Sequence, residues 1–245
     1  MPIREIECMA DPILYETDGP MAIIRLNRPE RRNAINEALL RGLYDSLEKA
    51  TADSTIKVII ITGEGKAFCS GLDLDCLATD NLLDPRGDGR DMVDLINACE
   101  KPIIGAVNGY AITGGFELAL NCDFLIAAKS AAFADTHARV GIQPGWGMTQ
   151  LLQQAVGQRM AKQMSLTCQF ISADQALHYG LVNEVVPDDQ LMPRVMEIAA
   201  AICAVNYDMA LTVKRLIEYR NQAFLNDSVT HERKNLKAMV AAMKK

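Results

Sequence analysis

The sequence has no basic excess. Its 25 lysines and arginines are outnumbered by 31 aspartates and glutamates, giving a net charge of −6 over 245 residues. With no surplus cations to neutralise phosphates, a nucleic-acid partner is excluded, although a local basic patch still suits a small polyanion such as a nucleotide phosphate. Paired cysteines are also lacking. The seven present (Cys8, Cys69, Cys76, Cys99, Cys122, Cys168 and Cys203) are odd in number and form no CxxC. They read as reduced, mostly buried thiols in a reducing compartment. The three histidines, His137, His178 and His231, lie far apart with no HxxxH or HExxH, so no metal cluster is expected. No run approaches the ~20 apolar residues that span a bilayer. Met1 to Met9 carries two acids and no apolar signal core. No membrane partner and a cytoplasmic location are therefore expected. A dinucleotide fingerprint is absent too, since Gly63-Glu64-Gly65 is not followed by the third glycine and helix it requires.

What is present fits a globular chain: 49% apolar and 23% charged, long enough for one large domain or a core with an appendage. Short apolar runs alternate with helical patterns, the mark of an α/β arrangement with crossover connections. Met21–Leu26, Lys57–Thr62, Ile103–Val107, Phe124–Ala127 and Val182–Val186 read as strands. Leu39, Leu40, Leu43, Tyr44 and Leu47 recur at helical steps behind a plausible N-cap, Asn36. A second helix runs through Leu151, Leu152, Ala155 and Val156. Beyond Pro187 the pattern is helical throughout, which suggests a strand–helix core over 1–190 and a helical region over 191–245. Asp80–Arg90, with Pro, two Gly and mixed charge, reads as a loop, either a lid or simply mobile.

Two segments are built to carry chemistry. In Lys101–Asp123 an apolar strand ends at Asn108-Gly109, and Thr113-Gly114-Gly115 then opens an apolar helix. Glycines let backbone approach a ligand, and the first N–H groups of a helix have no internal partner, so they suit a developing oxyanion. Glu117, one turn further on, is carried inward with Phe116, Leu118 and Leu120. Burial raises a carboxylate's proton affinity, which suits acid–base work; a structural acid bonded to nearby backbone is the equal alternative. The second segment repeats the design, with Val58–Thr62 running into a turn where Gly71 frees a backbone N–H.

Taken together, the chain resembles the crotonase (enoyl-CoA hydratase/isomerase) family over most of its length. The resemblance rests on NRPERRNAIN (27–36), KVIIITGEGKAFCSGLDL (57–74), KPIIGAVNGYAITGGFELALNCD (101–123), FADTHARVGIQPGWGMTQLL (133–152) and ISADQALHYGLVNEVV (171–186). It implies an α/β spiral of strand–strand–helix repeats and a helical C-terminal region that builds trimers or dimers of trimers. It also implies an acyl-CoA thioester substrate, with coenzyme A entering as part of the substrate and no separate cofactor.

Carried over residue by residue, the resemblance makes the N–H groups of Leu72 and Gly114 an oxyanion hole. It makes Glu117 the first of the two hydratase glutamates. The second is absent, and His137 stands at its position, either taking over its role, as an imidazole can near neutral pH, or acting as a spacer; Asp135, two residues before it, is a partner or merely solvated. Trp146 is a wall of the acyl pocket or a packing aromatic. Arg31, Arg32, Ala34, Gly71, Asp73 and Leu74 belong to segments that lie along the substrate and its nucleotide. Asp75 departs from the basic residue many hydratases carry there. The C-terminus departs from the family's closing pattern, leaving Lys234, Lys237, Lys244 or Lys245 to meet the nucleotide. Hydration of a 2-enoyl-CoA is the expected reaction; a double-bond isomerase and an idle acyl-CoA binder are the alternatives.

Overall fold

The computed structural model describes residues 11–243; Cys8, Lys244 and Lys245 lie outside them, as does the side chain of His231. The chain opens as a hairpin, β1 (Ile13–Asp18) and β2 (Met21–Leu26), followed by helix α1 (Glu37–Ala52). Three further strand pairs follow: β3 (Val58–Gly63) with β4 (Ala67–Cys69), β5 (Ile103–Val107) with β6 (Tyr110–Ile112), and β7 (Phe124–Ala128) with β8 (Ala132–Ala134). They are followed in turn by α2 (Met92–Ala98), α3 (Gly114–Leu120) and α4 (His137–Val140). The remainder is α5 (Met148–Thr167), β9 (Ile171–Ser172), α6 (Ala173–His178), β10 (Glu184–Val186), α7 (Leu191–Ala204) and α8 (Tyr207–Met243). The first strand of each pair joins a six-stranded sheet in the order β1-β2-β3-β5-β7-β10, parallel from β2 onward. The second joins a four-stranded sheet, β4-β6-β8-β9. The strand–strand–helix repeat expected from the resemblance is thus present.

The apolar runs of the large sheet follow from its two covered faces. Ile24, Ile59, Ile61, Ile103 and Val107 point into a core shared with Leu39, Leu40, Leu43 and Leu47 of α1. Ile23, Val58, Ile60, Ile104 and Ala106 point the other way, against Leu191, Val195 and Ala199 of α7. α7 is therefore the second layer on the sheet, while α8 turns back across the core, and its Leu236 packs against Gly145. Asn36 caps α1, its side chain accepting from Leu39 N at 2.9 Å. At the far edge only Glu184–Val186 of the expected Val182–Val186 strand pairs with β7, because Leu181 and Val182 donate instead to the Ala176 carbonyl.

Residues 28–35 and 70–73 are laced together, and that lacing positions the site. Ser70 N donates to Arg32 O (3.1 Å), Ile35 N to Gly71 O (2.7 Å) and Asp73 N to Ile35 O (2.8 Å). Asn33 anchors the outer loop. Fully buried and left-handed at φ 56°, it accepts from Arg28 N (2.8 Å) and donates to the carbonyls of Glu64, Ala67 and Phe68 (3.0, 2.8 and 3.2 Å). Asparagine tolerates that backbone conformation better than alanine. Arg28 adds a buried ion pair to Asp73 at 3.0 Å. Asn33→Ala should cost about 2–4 kcal/mol in urea unfolding, since it strands several buried polar groups at once. An unchanged midpoint would show that the lacing holds without it.

Candidate active site

The two lacing bonds on either side of Leu72 decide where its own N–H points. Gly71 O and Asp73 N both face Ile35, as in a parallel bridge, so the Leu72 N–H faces away, toward the cavity. Gly71 sits at φ +91°, and a Cβ there would come within 2.9 Å of Ile112 O and 3.3 Å of Gly114 N. That close approach brings the Leu72 turn against the N-terminus of α3. The N–H groups of Leu72 and Gly114 line one cavity, and neither donates to a protein acceptor among the described residues.

The entry into α3 is strained. Thr113 has φ 53° and ψ −115°, a conformation that costs a β-branched residue roughly 1–3 kcal/mol. Its backbone N–H donates to Ala134 O at 2.9 Å, and its hydroxyl meets that of Thr136 at 2.5 Å. These contacts tie the start of α3 to the segment carrying Asp135 and His137. Gly115 is required at the next turn, where a Cβ would collide with the Cys69 carbonyl at 2.2 Å.

Glu117 is 2% exposed and lines the cavity. Its Oε1 accepts from Trp146 N (2.9 Å) and Met148 N (3.2 Å), donors that complement a negative charge. Its Oε2 lies 3.6 Å from Nε2 of His137. The other ring nitrogen, Nδ1, is 2.7 Å from Asp135 Oδ1, which also accepts the His137 backbone N–H at 3.1 Å. Burial pushes the Asp135 carboxyl up, but hydrogen bonds from His137 and Ser165 outweigh it and hold the group below the usual carboxylate range. An imidazole flanked by two carboxylates can give or take a proton. Thiolate chemistry at the adjoining Cys69 is disfavoured, since burial pushes its thiol up to about 12.

The cavity encloses about 920 Å³ and gathers Leu72, Leu74, Gly114, Glu117, His137 and Trp146 from the expected residues. The Trp146 ring lies against Gly114, where an added Cβ would be 3.2 Å from Cζ3. Arg31, Arg32, Ala34, Gly71 and Asp73 stand outside the cavity lining. Asp73 is committed to Arg28, and Arg31 to Asp75 at 3.1 Å, both partners of the latter pair being exposed. Asp80 to Leu83 of the expected loop form part of the cavity wall, and Arg86 and Arg90 fasten the loop to Glu48 of α1 at 2.6 and 2.7 Å. Sequence reasoning missed Asn121, whose amide donates to Trp146 O and Glu117 O, both at 2.8 Å, and so fixes the Trp146 turn on α3. It also missed Leu236 and Val240 of α8, which close one wall. Among the described residues no group of three or more His, Cys, Asp or Glu is arranged to hold a metal ion.

Residues 16–245 match the sequence profile of the enoyl-CoA hydratase/isomerase family. The probable enoyl-CoA hydratase 1, peroxisomal, of Arabidopsis thaliana is 38% identical over 93% of this chain and 86% of its own length. The crotonyl-CoA hydratase of Syntrophomonas wolfei is 41% identical over 78% of this chain and 75% of its own. A crystal structure of enoyl-CoA hydratase from Mycobacterium avium superposes with a TM-score of 0.85 at 39% identity, covering 95% of this chain and 99% of that one. With its sequence matched nearly end to end and its fold superposing on that of a solved hydratase, this chain belongs to the enoyl-CoA hydratase/isomerase family.

Proposed function

We propose that the protein hydrates 2-enoyl-CoA thioesters to 3-hydroxyacyl-CoA. One observation carries this reading: a buried carboxylate, Glu117, and an imidazole, His137, face the same cavity as two backbone N–H groups that have no acceptor among the described residues. The relatives named as hydratases support the same reaction.

In this reading the thioester oxygen lies between the N–H groups of Leu72 and Gly114. As water adds to C3, the C2=C3 electron pair moves toward that oxygen, and the two donors stabilise the enolate by roughly 3 kcal/mol each. Glu117 Oε2 takes the proton of the attacking water, while Oε1 stays fixed by Trp146 and Met148. His137 Nε2 delivers the proton to C2. Coenzyme A arrives with the substrate, and no separate cofactor enters the scheme. Trp146 bounds the acyl end of the cavity, next to Gly114. Arg31 and Arg32, at the surface near the same turn, meet the nucleotide phosphates, with Asp75 competing for Arg31.

The reading extends to a cytoplasmic trimer or dimer of trimers. Exposed apolar side chains such as Leu166, Phe170 and Ile217 support self-association. A monomer by light scattering would overturn the assembly.

The first test is a panel of 2-enoyl- and 3-enoyl-CoA thioesters, followed by loss of conjugated-enoyl absorbance and product mass. A gain of one water is expected; a double-bond shift without mass change would make the protein an isomerase, and binding with neither product an idle binder. Glu117→Gln should lower turnover by about a hundredfold or more, as expected for a general acid–base group, and wild-type rates would sink the assignment. Gly71→Ala should cost a similar factor, because the added methyl crowds the Gly114 N–H and strains a positive φ. Thioester hydration by that variant at full rate would remove the two N–H groups from the mechanism.

A further inference from the structure

Resting on the hydratase reading, we infer that Asp135 and His137 work as a single neutral acid, with Asp135 the positioning residue that lets a cationic imidazole stand beside Glu117. The geometry is specific. One carboxylate oxygen of Asp135 accepts both the backbone N–H of His137 (3.1 Å) and a proton on its Nδ1 (2.7 Å), which fixes the ring's orientation and directs Nε2 toward Glu117. Asp135 and His137 are 1% and 6% exposed, so little water competes for either contact.

The charges around the ring point the same way. α3 contributes Glu117, the segment before α4 contributes Asp135, and α5 contributes the neutral Ser165 hydroxyl to Asp135. The Arg139 guanidinium, on the same short helix as His137, is engaged with the Cys168 carbonyl at 3.0 Å. A neutral imidazole with its proton on Nδ1 would present only a lone pair at Nε2, a base where the reaction needs an acid. Protonated, it gives Asp135⁻, His137⁺ and Glu117⁻ a net charge of −1. That equals one carboxylate facing one neutral carboxylic acid. Without the Asp135 charge, the imidazolium would form a closed ion pair with Glu117 and hold the water-activating carboxylate.

The proton count closes over a cycle. Glu117 gains a proton from water as the C3–O bond forms, and His137 gives the Nε2 proton to C2 as the C2–H bond forms. Oε2 and Nε2 are 3.6 Å apart, too far for a direct hydrogen bond, so after the product leaves Glu117 returns its proton to His137 through a solvent water, which restores both groups.

The test combines Asp135→Asn with His137→Gln, singly and together, in steady-state hydration of crotonyl-CoA. Asparagine keeps the shape and the acceptor but removes the charge. Asp135→Asn should lower kcat at least tenfold with KM within threefold, and should move the alkaline limb of the pH–rate profile to lower pH. In the His137→Gln background it should add less than a twofold effect. An equal cost in both backgrounds, or an unmoved alkaline limb, would make Asp135 a structural residue and overturn the inference. An independent measurement uses nitrogen-15 NMR of the His137 ring in the intact wild-type protein, with free imidazole as internal reference. The ring should remain doubly protonated at pH values where free imidazole has lost its proton; a ring that titrates with the reference overturns the dyad. That measurement reads the dyad even if no enoyl-CoA is turned over, in which case the hydratase reading alone has failed.

Discussion

The site depends on two backbone N–H groups, those of Leu72 and Gly114, that line one cavity and have no acceptor among the described residues. Backbone donors ordinarily find a protein partner, and these are kept from one because every neighbour is overdetermined. The bonds on either side of Leu72 go to Ile35, and the start of α3 is held by Ala134 and Thr136. Neither Leu72 nor Gly114 can rotate to find a protein partner without breaking several of these contacts. Thr113 shows how tight the constraint is, since a β-branched residue is held at φ 53°. The donors are therefore organised before any ligand arrives, the condition under which such groups favour a developing negative charge most.

Much of the large sheet was legible because both of its faces are covered. β3 is buried at all six positions, and its sequence opens with an unbroken apolar run, Val58–Ile61. β1 was not legible: ILYETD exposes half its residues, and its pairing with β2 alone makes it a strand. The small sheet escaped for a different reason. Its strands are two or three residues long and built of Ala, Phe, Cys, Tyr, Ile and Ser, too short for any period to show. The α5 pattern was visible, but its interruption at Gly157, with φ 77° and ψ 152°, was not.

In the site, Glu117 could be read from sequence because its neighbours on α3 are apolar and carry it inward. Asn33 and Asn121 could not. Their importance lies in carbonyls 31 to 35 residues away for the first and on a separate turn for the second, contacts that only the folded chain creates. The arginines of that turn divide between two surroundings. Arg28, drawn inward to Asp73 and the Ala34 carbonyl, braces the turn, a role only the folded chain reveals, while Arg31 is shared with Asp75 at the surface. Exposed pairs of that kind contribute little to stability, so Arg31 can be released to an anionic ligand at small cost.

This division of labour explains how one fold accommodates an altered acid. In the proposed mechanism enolate stabilisation resides in backbone groups whose positions are fixed by glycines and by loop lacing, so it does not depend on which side chains surround the acyl group. The two groups proposed to handle protons sit on a different support. Glu117 is clamped by the Trp146 turn and His137 by its own preceding aspartate. A change at position 137 therefore leaves the oxyanion donors where they are and alters only how charge is balanced beside Glu117. The histidine brings a positive charge when protonated, and the buried Asp135 two residues earlier brings the compensating negative one. Geometry for the carbonyl and electrostatics for the proton are thus set by separate contacts, and the second can vary without loss of the first.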